Sequence, residues 1–595
     1  MITTSTAYKA AVGATSRRTK GKIVFEIVDV TAKSDITSLT VTGEAEISKK
    51  AQTYDEERAL SAKYATLEND YWKLDDTFWF PPKTAETGYQ IGWWSLALSQ
   101  ADKTFAVDQE VLYAFTGNHS SIGITVIFDR QANEYAEDFE IIAYDSSDVE
   151  INRDTVTGNI LSKYTWEQNL TDYRKIKIIV TKTSTAYRRA RITEVDFGII
   201  EEYEGNELIN MSVLEECSPN SQEVTMNELR FTIENQDKRF NILNPTGVYD
   251  YLQRRQQIFA YNSLEISTDT YEEIPLGVYY LDDWVSNEGT LTASFNANDV
   301  MSLLSESKYR KSIYADITLE NLAIAVLADV GVTDYSIDSS LSSITVKGYM
   351  PILTHREALQ MIAVAGECII YSNRYGVLQI KPANAVATGL EIDFDNVYNT
   401  PKITLDKLIN TVEVNNYTYT SLASEKVYEG TVALTGTSDV WLDYSKPATG
   451  VSYAVTGGAT VNSATCYTNS ALLNITHTGN TTITLTGTEL SLSKSVYQLK
   501  DGTAPAGEKD YTMKVDNTLI NNTTVASDVA TWILAEAKKR NIYDINWRQD
   551  PSIEAGDIVT IEDEFGLNYE ARITKQEFNW NGALSGSSTG KGASS

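Results

Sequence analysis

Between Asn227 and Leu304 apolar and polar residues alternate at period two, and this alternation limits what the chain can fold into more than any other feature. Leu229-Arg230-Phe231-Thr232-Ile233 reads as a half-buried strand. Asn235-Gln236-Asp237-Lys238 turns the chain, and Phe240 to Pro245 follows. Ile258 to Ile266, Ile274 to Trp284 and Leu291 to Phe295 repeat the strand pattern, with Asn287-Glu288-Gly289 as a hairpin signal between the last two. Strands of this length between Asn, Asp and Gly turns predict one antiparallel barrel or curled sheet.

A chain of 595 residues has room for roughly four such domains. Tyr, Thr and Ser abound, which suits strands. No stretch has the ~20 continuous apolar residues of a membrane span, and the basic start (Arg17, Arg18, Lys20, Lys22) precedes no signal-like apolar run. The expected place of synthesis and folding is a cytosol. Cys217, Cys368 and Cys466 lie far apart without metal-ligand spacing and make no disulfide framework. With His119, His355 and His477 as the only histidines, a His-rich metal site is not expected. Against 50 basic residues stand 81 acidic ones, and a net charge of -31 repels phosphates. That argues against sequence-specific nucleic-acid binding, yet an acidic channel wall lets DNA slide past without sticking.

In chain order, residues 1–22 form a polar arm expected to order only against a neighbour. Ile23 to Val30 and Leu39 to Ile47 read as a pair of strands. From Ala65 to Arg189 the texture changes: aromatics cluster at Tyr71, Trp72, Trp79, Phe80, Tyr89, Trp93 and Trp94, and short strands follow at Ile122 to Phe128, Asp138 to Tyr144 and Ile176 to Val180. This predicts an inserted, jelly-roll-like β-sandwich over 61–189. Helix signals come next. Thr318 caps Leu319 to Val330 with Gly331 as the stop, and Thr354 with Glu357 makes a capping box for His355 to Ala365. A hairpin, Cys368 to Tyr371 and Val377 to Lys381 around Asn373 to Gly376, completes an α+β module over 305–395. Asn396 to Tyr419 returns to strand, and the Thr/Ser/Gly-rich 426–504 predicts a second, smaller inserted β-domain. A helix over Asp528 to Arg540 and a hairpin pairing Ile558 to Ile561 with Tyr569 to Ile573 close the ordered part; 585–595 reads as a flexible tail.

Three blocks, "FTIENQDKRFNILNP" from Phe231, "IPLGVYYLDDW" from Ile274 and "LTASFNANDVMSLL" from Leu291, resemble the hub proteins at the tail tip or baseplate of phages, especially those of Gram-positive hosts. "DPSIEAGDIVTI" from Asp550 and "FNWNGALSG" from Phe578 resemble that family's closing hairpin. The resemblance implies a mainly β chain with a smaller α+β module. It assigns 23–60 with 190–304 to one tube-like antiparallel β-barrel domain and 396–425 with 505–584 to a second, each carrying an inserted β-sandwich domain. It also implies a homotrimer whose six tube-like domains meet a six-fold tail tube. Its expected partners are tail-tube and distal-tail proteins, the tape-measure end and receptor-binding or fibre proteins, in a virion assembled in the host cytoplasm.

No catalytic, cofactor or metal residues emerge, so no enzyme and no cofactor is expected. His119 lies in a turn-like Thr-Gly-Asn-His-Ser-Ser stretch and is expected to face solvent. His355 sits at a helix start, where positive charge is disfavoured, and His477 in a Thr-rich strand or turn. Asp282-Asp283 and Glu562-Asp563-Glu564 read as solvated turns rather than paired catalytic carboxylates. Relatives of this kind sometimes carry a C-terminal peptidase or glycosidase, and the closing hairpin leaves this sequence no room for one. The aromatic cluster is the best binding candidate. On a strand Trp93 and Trp94 point to opposite faces, so core packing takes at most one and the other is covered or exposed. A carbohydrate-binding adhesin, gripping host cell-wall glycans through the inserted sandwiches, is the alternative function.

Overall fold

The alternating stretch forms strands as its pattern predicts. The computed structural model describes all residues except 56–61, 67, 70, 72–76, 81–88, 245–246, 288, 290, 384–386, 394, 504–508, 564 and 594–595. In it the stretch gives Glu228–Glu234, Gln257–Ser267, Thr270–Asn287 and Thr292–Asn298. The predicted turn at 287–289 lies partly outside the described residues. Beneath these strands Phe25, Phe231, Phe240 and Phe295 pack with centroids 5.0 to 6.3 Å apart, mostly edge to face.

These strands belong to a thirteen-stranded sheet. Its order is Gly198–Glu204, Thr19–Val28, Gln257–Ser267, Thr270–Asn287, Thr292–Asn298, Glu228–Glu234, Leu208–Glu216, Asn568–Trp580, Leu584–Gly592, Asn541–Trp547 and Lys402–Leu405. Ile558–Glu562 pairs with Asn568–Trp580 and, in parallel, with Ala387–Ile392. The parts expected as two tube-like domains therefore share one sheet, joined where Met211 to Glu216 pair antiparallel with Trp580 to Lys575. Two cores line it, one around Phe231 and Phe295 and one around Ile545, Val559 and Ile573.

Several sequence expectations need correction. The Gly/Ser end is not a flexible tail as far as Gly592: Leu584–Gly592 is a central strand of the sheet. Its small residues suit that place, because a Cβ at Gly586 would lie 2.0 Å from the Glu577 carbonyl oxygen of the neighbouring strand. The N-terminal arm orders on its own chain: α1 (Thr6–Val12) packs Tyr8 and Ile2 against Leu264 and Ile274. The second strand of the first pair is shorter, Ile36–Val41, and pairs with Thr104–Ile127 rather than with Thr19–Val28. Asp29 turns the chain by accepting the Thr31 N–H, and the 3-10 turn Lys33–Asp35 carries it to the insertion.

The first insertion is a six-stranded antiparallel sheet built on two long strands, Thr104–Ile127 and Lys163–Thr183, with Trp93–Trp94 pairing Arg191–Ile192 beside it. The second is a hairpin of Thr411–Asp443 and Ser470–Lys500, kinked by bulges at Ser421/Ser424 and Lys426/Tyr428. Residues 411–425 and Thr512–Val515 thus lie in this five-stranded sheet and not with the second tube-like part. No turn signal interrupts the alternation through Leu422-Ala423-Ser424, so a boundary at 425 cut one continuous strand.

Four helices gather around the base of the long hairpin: α2 (Val300–Glu306), α3 (Leu319–Val330), α4 (His355–Ala365) and α5 (Thr523–Ala537). Their core joins Leu322 and Val326, Leu359 and Ile362, and Val529 and Ile533 to Val412 and Val414 at the base of the long hairpin. The Thr318 cap, the left-handed Gly331 (φ 78) and the Thr354–Glu357 capping box form as predicted. Helix α5 starts five residues before the expected Asp528 because Asn522 caps it by accepting the Val525 N–H.

Candidate functional site: joints and ends of the long sheet

The geometry that stands out is mechanical. Arg374, in the turn of the α+β hairpin, is 1% exposed and lies where three parts of the chain meet. Its Nε and Nη2 donate to both oxygens of Glu215, at 3.2 and 3.1 Å, on the strand that forms the sheet's seam. Its guanidinium also donates to the carbonyls of Pro551 and Ile553. Gln576 Nε2 and the Ala555 N–H complete the shell of Glu215, each at 3.1 Å. Burial opposes the charge on Arg374, but the ion pair and hydrogen bond with Glu215 outweigh it and the pKa moves up. A fully bonded guanidinium fixes three segments at once. Only the planar fork of Arg does this.

The first insertion leaves the sheet through a second joint. Thr19–Val28 exits and Gly198–Glu204 returns side by side, with a Cβ at Gly198 meeting the Ile27 carbonyl oxygen at 2.3 Å, so only glycine fits. Lys33 Nζ reaches Glu194 and Asp196, at 2.5 and 2.7 Å. His119 is not in a solvent-facing loop: it is buried within Thr104–Ile127, its Nδ1 2.7 Å from Asp29 and its Nε2 2.9 Å from Asp35. The polar stretch around it is strand because Phe115 and Tyr173 pack on the ring.

Tyr71 and Trp94 of the aromatic cluster pack on a second buried arginine. Arg191 donates to Glu68 at 2.8 and 2.9 Å, to Asp129 at 2.7 Å and to the Tyr71 hydroxyl at 2.8 Å. It stacks 4.0 Å from the Trp94 ring centroid and 4.2 Å from that of Tyr71. Trp93 and Trp94 point to opposite sides and both are buried, in different cores. Trp79 and Phe80 are exposed, 62% and 82%. Trp72 lies outside the described residues.

Among the other singled-out residues, His355 ties helix ends together, with Nδ1 2.9 Å from the Ser307 hydroxyl and Nε2 3.0 Å from Asp329. His477 is half-buried in Ser470–Lys500. Asp282 and Asp283 are not in a turn but in Thr270–Asn287, at a bulge, where they accept from Asn298 and Asn296. Glu562 ends a strand, Asp563 holds the next turn through the Phe565 and Leu567 N–H groups, and Glu564 lies outside the described residues. Burial pushes the Cys217 and Cys368 thiols up to about 12, so neither is a ready nucleophile. No group of three metal-ligating side chains occurs among the described residues.

The two ends of the sheet differ. At Gly198–Glu204 the carbonyls of Gly198 and Ile200 accept from Thr125 and Lys163 of the insertion, at 3.0 and 2.8 Å. At Lys402–Leu405 the strand is the last of the sheet, Ile403 and Leu405 are 49% and 66% exposed, and Phe565 is 78% exposed beside them. Pro401, Ile403, Tyr543, Ile561 and Phe565 line a cleft of about 260 Å³ there.

No protein-family model matches the sequence, and no curated protein matches it. The fold is similar to those of solved phage-tail proteins. The 43 kDa tail protein of prophage MuSo2 from Shewanella oneidensis is 12% identical, with 66% of this chain and 95% of that chain covered and a TM-score of 0.39. A tail protein from Neisseria meningitidis is 10% identical, covering 66% and 93%, with a TM-score of 0.39. Prophage tail protein gp18 from Listeria monocytogenes is also 10% identical, covering 66% and 91%, with a TM-score of 0.36.

Proposed function

We propose that the chain is a structural hub at the distal end of a phage or phage-derived tail. Three copies continue the tail channel with their long sheets, the helices buttress those sheets, and the two insertions face neighbouring proteins or the host surface. Tail-tube and distal-tail proteins, the tape-measure end and receptor-binding or fibre proteins are its partners. The observation that carries this reading is the single sheet built from two β-rich parts and locked at its seam by Arg374 and Glu215. A rigid, curved, two-part wall with unlike ends is what a ring of a few copies needs. Light scattering after size exclusion tests it: a trimer mass supports the hub, and a monomer at every concentration reached counts against it.

A second reading, glycan binding at the host surface, is favoured by one observation, the exposed neighbours Trp79 and Phe80. A glycan array with the full chain and its Trp79→Ala variant tests it. Binding lost in the variant supports the adhesin, and no binding by the full chain removes it.

A further inference from the structure

The neck of the first insertion is bridged by one amine between two carboxyls. Lys33 lies on the outgoing segment, in the 3-10 turn Lys33–Asp35, and both acids lie on the returning strand Glu194–Asp196. The Glu194 and Asp196 side chains are 0% exposed, and that of Lys33 is 14% exposed. Both segments are held in place. The returning strand pairs antiparallel with Thr125–Ile127, which sets Glu194 and Asp196 on one face while Val195 packs into the core with Phe128 and Phe197. On the outgoing side Ala32 is fully buried, and Asp29 accepts the Thr31 N–H at 2.9 Å. Asp35 accepts the Gly117 N–H at 2.6 Å and, like Asp29, reaches the His119 ring.

We infer that this neck closes covalently, through an isopeptide bond from Lys33 Nζ to Asp196 Cγ with Glu194 as the proton carrier. The amine nitrogen is 2.7 Å from Asp196 Oδ1 and 2.5 Å from Glu194 Oε1. Nucleophile, electrophile and base are therefore in contact before any bond forms. Passing one proton within the Lys33–Asp196 ion pair gives a neutral amine beside a carboxylic acid, a change that exclusion of water favours. The nitrogen then attacks Cγ. Glu194 takes a second proton from it and returns that proton to the departing hydroxyl. One C–N bond replaces one C–O bond, Nζ goes from three hydrogens to one, and the other two leave on the oxygen as water. Nothing is oxidised or reduced. Asp196 is the acceptor because its shorter side chain holds Cγ close to the strand, whereas the extra methylene of Glu194 lets its carboxyl follow the proton. Lys33 also borders a cleft of about 410 Å³, which gives the water a way out. The bond ties residues 163 apart and fastens the insertion's exit to its return, whatever the oligomer around it.

Electrospray mass spectrometry of the full chain, denatured after folding, tests the bond. The expected mass lies one water, about 18 Da, below that of the sequence. A tryptic digest should then contain the peptide bearing Lys33 joined to the one bearing Asp196. Lys33→Arg removes the nucleophile and Glu194→Gln the proton carrier, so each should show full mass and separate peptides. Full mass in the parent chain overturns the inference. A lost water without the branched peptide, as a succinimide elsewhere would give, overturns it too, and a branch at Glu194 overturns the assigned roles. Should either variant fail to fold, the digest of the parent chain decides alone. None of these outcomes depends on the number of copies in the assembly, so the hub reading is tested separately by its light scattering.

Discussion

The two ends of the sheet obey the same rule by different means. Gly198–Glu204 is covered by the chain's own insertion, so its outward carbonyls are satisfied within the molecule. Lys402–Leu405 has a strand on one side only among the described residues, with exposed apolar side chains beside it. An uncovered edge is a template for another strand or surface, and natural sheets tolerate one where something is meant to bind. The contrast is one of cover: one end is finished in cis, and the other keeps Ile403 and Leu405 exposed.

The contrast holds only while the sheet between the ends is continuous, and the largest expected effect comes from breaking its middle. Arg374→Met leaves Glu215 buried without its cation and costs about 3–5 kcal/mol. A urea titration should show it as a lower midpoint, and an unchanged midpoint would mean the joint is ornamental. Asp299 sharpens the same point by pH. It caps α2 and accepts from Met301 and Asn227, each at 3.0 Å, and burial raises its carboxyl to about 7. The folded state keeps that proton up to about 7 while the unfolded chain releases it near the ordinary aspartate value of 3.8. Stability contributed by this group therefore falls as pH rises through that window, by about 1.4 kcal/mol per unit. Asp299→Asn should remove that slope from a series of urea melts.

Lys163→Met uncovers the Ile200 carbonyl at the finished end and costs about 1 kcal/mol. If the covered edge matters, the variant also aggregates sooner on concentration; a variant as soluble as the parent would show the cover to be incidental. At the bare end, Ile403→Lys with Leu405→Lys leaves stability within about 0.5 kcal/mol while reducing self-association. Equal loss of both would mean those side chains belong to the core rather than to a contact.

Much of this was legible in the sequence. Period-two alternation located the strands from Glu228 to Asn298, and the capping residues Thr318, Gly331, Thr354 and Glu357 located α3 and α4. These signals are local. What joins the sheet is not. Arg374 lies in a turn whose composition marks it only as a turn, and its partner Glu215 is 159 residues away. Arg191 and Glu68 are similarly distant, so the aromatic cluster read mainly as core or interface packing, with sugar binding as the lesser role, and the buried arginine that Tyr71 and Trp94 pack on was not legible. His119 was misplaced because Thr, Gly, Asn and Ser suggest a turn, yet the phenyl ring of Phe115 and the carboxylates of Asp29 and Asp35 hold it inside a long strand. The Gly/Ser end misled for the opposite reason: small residues suggest flexibility, but here they allow close strands.

The central claim is that two β-rich parts of the chain form one sheet and open as one. Hydrogen exchange read by mass spectrometry tests it most directly at the seam, in peptides covering Leu208–Glu216 and Asn568–Trp580. One sheet predicts that both peptides are strongly protected and lose protection together under increasing urea, and that Arg374→Met lowers them together. Opening of Asn541 to Gly592 while Thr19 to Asn298 stays protected would contradict it.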